Sequence, residues 1–202
     1  MRSGRWIVWM GILAAQPLTL AAGDPGELTL TVRVYDYAAL PGFELHSAMG
    51  VARNIFRDAE IGIKWADCSP VLKSGQGYPG CAGPLGATGV ILNILRRPLE
   101  GCAQESLGCA LQDVRGRRGF VAYVFQQNLE ETVTMGASAR FRLLGLVMAH
   151  ELGHLLLGTG AHSASGIMQP YWSARQMARP AADMGFSQGQ ARLMRSRLGA
   201  VD

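Results

Sequence analysis

The chain has no internal repeat, no sustained block of like charge and no CxxC pair, and beyond residue 20 it has no apolar stretch long enough to cross a membrane. The missing repeat excludes solenoids and propellers. Charged residues at 17% and hydrophobic residues at 49% are ordinary for a folded domain and exclude disorder, collagen and coiled coil. The formal charge of +4 is too small and too scattered to indicate a nucleic-acid partner; Arg96-Arg97 and Arg115 to Arg118 read as solvated loop charges. With no CxxC spacing, the four cysteines do not read as a metal site. The 202 residues suffice for one domain with a substantial core.

What is present begins with an address. Arg2 and Arg5 precede the uncharged apolar stretch Trp6 to Leu20, and the small residues Ala21, Ala22 and Gly23 follow. This is the pattern of a secretory signal peptide, expected over residues 1–22 and too short for a membrane span of about 20 residues. Residues 23–202 are then expected as a single domain, secreted or periplasmic, with no stable membrane insertion after cleavage and a net charge of +2 once Arg2 and Arg5 are removed. An even cysteine count in an exported chain reads as two disulfides. Cys68, Cys81, Cys102 and Cys109 admit three pairings, and the sequence-local one, Cys68–Cys81 with Cys102–Cys109, is expected.

Leu28, Leu30, Val32 and Val34 alternate with polar residues, which predicts a half-buried strand. Leu45, Ala48, Met49, Ala52, Ile55, Phe56 and Ala59 recur at helical spacing, with Gly62 as the expected stop. His46 lies off that stripe and reads as an exposed surface histidine. Ile63 and Trp65 suggest a second strand, Val90 to Leu95 and Phe120 to Phe125 two buried ones, and Leu107 to Leu111 a short edge strand. Between them, Val71 to Gly89 is rich in Gly and Pro and reads as a long loop that Cys81 would pin. A long helix is expected from about Arg140 to Leu157 with Ser138 as its cap, and a last one after Ser187, where Ser187 and Gln190 have the spacing of a capping box. This order suggests an α+β or α/β sandwich.

The long helix carries His150-Glu151-Leu152-Gly153-His154. Residues four apart on a helix share a face, with Cβ atoms about 5–6 Å apart, so two imidazoles can reach one metal ion. Glu151 projects beside that ion, where a carboxylate serves as general base and then acid. A catalytic zinc needs a third ligand and an open position. Were the helix to continue, His162 would lie about 12 Å beyond His154 at 1.5 Å per residue. Gly158 and Gly160 supply the break that folds the chain back. Past His162 the remaining carboxylates are Asp183 and Asp202, so no downstream Glu is available, and Asp183 is a distant alternative.

These residues resemble the metzincin clan of zinc peptidases, whose signature is HExxHxxGxxH followed by a methionine turn. His150, Glu151 and His154 match directly; His162-Ser163 is similar to the matrixin-type ending, and Gly166 to Pro170 looks like the methionine turn, with Met168 beneath the metal. The signature is matrixin- and archaemetzincin-like, with two extra residues before the third histidine. The resemblance implies an α+β fold: a twisted, mostly parallel sheet with an antiparallel edge strand, packed on the active-site helix, with the methionine turn and a C-terminal helix following. It implies one catalytic Zn2+ held by His150, His154 and His162, with Glu151 catalytic. It also implies an extended peptide or protein substrate pairing with the edge strand near Leu107 to Leu111, and it makes Tyr171 a candidate oxyanion stabiliser. Hydrolysis of a peptide bond through a metal-activated water is thus the expected activity, by a monomer. A zinc-binding domain without turnover and a hydrolase of non-peptide amides are the alternatives.

Overall fold

The alternation around Val32 forms the central strand. In the computed structural model, which describes residues 28–70, 79–112, 119–132, 136–158, 160–177 and 181–200, β1 (Thr29–Asp36) buries Leu30, Val32 and Val34 completely and turns Thr31, Arg33 and Tyr35 to the other face. The helix α1 (Gly42–Asp58) leads to β2 (Gly62–Asp67), which lies parallel to β1 on one side, with Val32 opposite Trp65. On the other side β3 (Gly89–Leu95) is also parallel, with Val32 opposite Val90. The next strand, β4 (Gly108–Leu111), is antiparallel to β5 (Val121–Phe125), which runs parallel to β3. The five strands therefore lie in the order β2-β1-β3-β5-β4, with the short antiparallel strand at one edge. The architecture is mixed α/β, a mostly parallel sheet packed against helices.

Two short helices, α2 (Gln126–Thr132) and α4 (Ala174–Met177), were not foreseen, because neither is long enough to show a periodic stripe. The long helix is α3 (Ala137–Leu157), and the chain closes on α5 (Gln188–Gly199). Helix limits differ from expectation at two places. Ser138 lies inside α3, and the cap position is taken by Gly136, which makes no side-chain bond. Gly62 does not stop α1: Ala59, Glu60 and Ile61 already return their N–H groups to the carbonyls of Phe56 and Arg57, and Glu60 takes the left-handed conformation at φ 59°. That residue is steadied by Arg195 at 3.3 Å. The expected signal segment and the Arg115 to Arg118 cluster lie outside the described residues. Among the described residues, no helix is long and apolar enough to cross a membrane.

Both expected disulfides are present, Cys68–Cys81 and Cys102–Cys109, and no described cysteine is free. The first pins the end of the long loop, where the Arg33 guanidinium also donates to the carbonyls of Gly80, Ala82, Gly83 and Pro84. The second ties the preceding loop to β4.

From Leu143 to Ala149, α3 is apolar on every side, as befits a helix segment buried all round. Leu146, Met148, Ala149, Leu152, Leu155 and Leu156 are all fully buried. Its closest neighbour is α1, and the two approach where side chains are small. A Cβ on Gly145 would lie 2.6 Å from the Ala48 carbonyl oxygen and 2.6 Å from Val51 Cβ. Replacing Gly145 by Ala is expected to destabilise the protein, although alanine is the better helix former by about 1 kcal/mol. Overpacking against a backbone carbonyl typically costs about 1–3 kcal/mol, which outweighs that gain. Thermal unfolding checks it: Gly145→Ala should melt below the parent and Gly145→Val lower still. An unchanged or raised melting temperature for Gly145→Ala would show that the helices separate without cost.

Candidate metal centre

The two histidines of the long helix stand on one face, four residues apart, and their Nε2 atoms are 3.0 Å from each other. After Leu157 the helix ends: Gly158 returns its N–H to the His154 carbonyl at 2.9 Å and takes φ 74°, and Gly160 takes φ 72°. Positive φ costs glycine nothing, so the chain reverses here. The reversal brings His162 Nε2 to 3.1 Å from His154 Nε2. The three imidazoles form the one group of potential metal ligands among the described residues, with donor atoms all within 4.8 Å. His46 is exposed on α1 and Asp183 is exposed in the Ala181–Met184 turn, neither in this group.

The turn after His162 is built around His150. Ser163 N–H donates to the Met168 carbonyl at 2.9 Å, and Ile167 N–H to the Gly185 carbonyl at 3.0 Å. Gly166, at φ 77°, passes so close to Gly185 that a Cβ would lie 2.5 Å from its carbonyl oxygen. Met168 is fully buried beneath α3, its sulfur packed where a Cβ on Gly153 would be only 2.7 Å away. The Ile167 carbonyl oxygen lies 2.7 Å from His150 Nδ1. A carbonyl can only accept, so Nδ1 carries the proton and Nε2 keeps its lone pair towards the other two rings. The Trp172 ring meets the His150 ring edge to face at 5.4 Å.

Burial favours the neutral form of the two helix rings, His150 and His154. Desolvation, first, and the neighbouring histidines, second, push His154 down to about 3. Desolvation also lowers His150, against the opposing effect of the Ile167 bond. Neutral imidazoles are the ligand form. Tetrahedral zinc with bonds of about 2.0–2.1 Å sets its ligand nitrogens about 3.3–3.4 Å apart, close to the 3.0 and 3.1 Å that separate His154 from His150 and His162. The donor set therefore fits a zinc ion with three protein ligands.

Glu151 is only 6% exposed, and desolvation raises its carboxyl to about 8. It lies against the edge strand: a Cβ on Gly108 would fall 2.6 Å from Glu151 Cγ and 2.7 Å from Oε1. Beyond β4, Gln112 donates to the Gly158 carbonyl at 2.9 Å, tying the strand to the helix end. Tyr171 projects into solvent, 87% exposed; the aromatic in contact with His150 is its neighbour Trp172. Sequence reasoning missed Gly108, Gln112 and Trp172. Gly108 did carry a signal, because a glycine in a strand marks a close approach.

No protein-family model and no curated protein matches the chain. Solved structures do. An archaemetzincin from Methanopyrus kandleri superposes with a TM-score of 0.58 at 16% identity, over 87% of this chain and 98% of that one. A zinc-dependent peptidase from Methanocorpusculum labreanum gives 0.50 at 16% identity, over 81% of this chain and 99% of that one. At such identity the likeness is one of fold.

Proposed function

We propose that this chain is a secreted or periplasmic zinc-dependent peptidase. The observation that carries the reading is the convergence of three imidazoles beside a buried carboxyl group that abuts the sheet edge. His150, His154 and His162 would hold the ion. Zinc, when bound, supplies Lewis acidity, polarising a carbonyl group and making a water molecule more acidic.

The residues of the chain do the rest. Glu151, whose carboxyl burial raises above the usual carboxylate range, stands next to the first ligand, where it would take a proton and return it to a leaving amine. The outer edge of β4 offers backbone groups to an extended peptide, since β4 ends the sheet. Gly108 brings that edge against the Glu151 carboxyl group, so a peptide laid along it passes the site of proton transfer. Ile167 and Trp172 hold the His150 ring in place.

The purified full-length protein is expected to contain about one zinc per chain, as the three-ligand site implies, and to cleave peptides in a reaction that a chelator stops and added zinc restores. Metal analysis and a panel of peptides and non-peptide amides check this. Stoichiometric zinc without turnover of any substrate would favour a binding domain, and turnover confined to non-peptide amides would change the substrate class.

A further inference from the structure

His162 is the ligand that the helix does not position. It is exposed, eight residues beyond His154, and follows two glycines in the left-handed region. A Cβ on Gly160 would touch nothing, so the reversal is not held by packing at that point. Downstream of His162 the bond from Ser163 N–H to the Met168 carbonyl anchors the chain. Upstream, the anchor comes from another element: Gln190 Nε2 donates to the Ala161 carbonyl at 3.2 Å, and also to Ser163 Oγ at 3.3 Å. One side-chain amide therefore bonds to both neighbours of the third ligand.

The same amide completes the start of α5. Ser187 N–H donates to Gln190 Oε1 at 2.9 Å, and Gln190 N–H to Ser187 Oγ at 3.2 Å. These partners fix which way the amide points. An N–H faces its oxygen and a carbonyl faces its nitrogen, and a flipped amide would lose both bonds. Ser163 Oγ gives its own proton to the Ser165 carbonyl at 2.8 Å, which leaves it free to accept from Gln190. The helix behind the amide is itself fixed to the elements that matter. Ala191, Met194 and Leu198 are buried, Arg197 donates to the Leu156 carbonyl in the last turn of α3, and Arg195 donates to the Ala59 carbonyl at the end of α1.

We propose that Gln190 is the positioning residue of the third metal ligand: it transmits the placement of α5, which is locked to α3, to the Ala161 carbonyl and the Ser163 hydroxyl on either side of His162. The inference rests on the zinc reading above. It also accounts for the longer link between the second and third histidines, because a loop too long to be rigid by itself is held by a bond from outside it. Gln190 touches neither the ion nor a substrate, and acts through His162.

The test separates the two jobs of this amide. Gln190→Glu keeps an oxygen for the Ser187 N–H and loses the donors to Ala161 and Ser163. Ser187→Ala does the reverse, weakening the helix cap and leaving the Gln190 amide in place. Zinc affinity is measured on the full chain by competition with a chromophoric chelator, beside the melting temperature of the metal-free protein. Gln190→Glu and Gln190→Met are expected to weaken zinc binding about 10–100-fold, the usual effect of removing a group that orients a ligand. Ser187→Ala is expected to lower the melting temperature with zinc affinity unchanged. In the His162→Ala background, Gln190→Glu should have no further effect on affinity, since there is no third ligand left to position.

Wild-type affinity in both Gln190 variants overturns the proposal while leaving the zinc reading intact. So does an equal loss in Ser187→Ala, or an effect of Gln190→Glu that persists undiminished without His162. A parent chain that binds no zinc overturns both readings together.

Discussion

Replacing Glu151 by glutamine is expected to abolish hydrolysis while leaving zinc in place. The reasoning starts from burial. The carboxyl group has left water, and desolvation raises it to about 8, which brings proton exchange within easier reach than at an ordinary carboxylate. Glutamine has nearly the same volume and fills the same space against β4, but it has no proton to exchange. General acid–base catalysis contributes about 10²–10⁴-fold, and turnover should fall by that much. Zinc content should stay at the parent level, because His150, His154 and His162 are untouched. Stability should not fall either, since burial already favours the uncharged form of this side chain and glutamine is an uncharged group of nearly the same size. Metal analysis, thermal unfolding and initial rates on one preparation check all three. Parent-level turnover in the glutamine variant would remove Glu151 from the mechanism and require another group to manage the proton.

The parts of this site that the sequence made legible are those whose partners are near in the chain. His150 and His154 are readable because helical geometry puts residues four apart on one face. The reversal to His162 is readable because only glycine adopts positive φ freely, and two glycines stand between the second and third histidines. Even the Ser187–Gln190 capping box is visible as a local spacing. What the spacing does not reveal is the other end of the Gln190 amide, 29 residues back at Ala161. The same holds for Trp172 against His150, a contact between residues 22 apart in the chain. The fold divides in the same way. Strands and helices with long apolar stripes are visible, and the short edge strand expected near Leu107 to Leu111 is there as β4, whereas the order of the other strands depends on pairing between distant segments. Ser138 misled for a related reason. A good cap residue was present, but Gly136 already took the cap position, and the helix had begun before the serine.

Gly108 is the contact of this kind with the largest consequence. It stands at the start of the edge strand, opposite Val124 of β5, and its face towards α3 is occupied by the Glu151 side chain. A methyl group there would sit 2.6 Å from Glu151 Cγ and 2.8 Å from Cδ. Non-bonded carbon atoms prefer about 3.5–4.0 Å, so one of the two must move. The strand is the less free to do so. It is paired along its length with β5, and Cys109 is bound to Cys102. The carboxyl end of Glu151 is the flexible partner, and it is the part that must be placed to within a fraction of an ångström. A displacement of about 1 Å at a reacting group can cost about 10²-fold in rate. Gly108→Ala is therefore expected to lower kcat by about 10²-fold on this basis, with KM changed far less and zinc content and melting temperature close to the parent. Gly108→Val should be more severe. The two-variant comparison fixes the route of the effect. If alanine acts by displacing Glu151, then adding it to Glu151→Gln should cost little further activity, because the group it displaces no longer exchanges a proton. A full additional hundredfold loss in the double variant would show instead that Gly108 matters for the substrate lying along β4, and that Glu151 is positioned by something else.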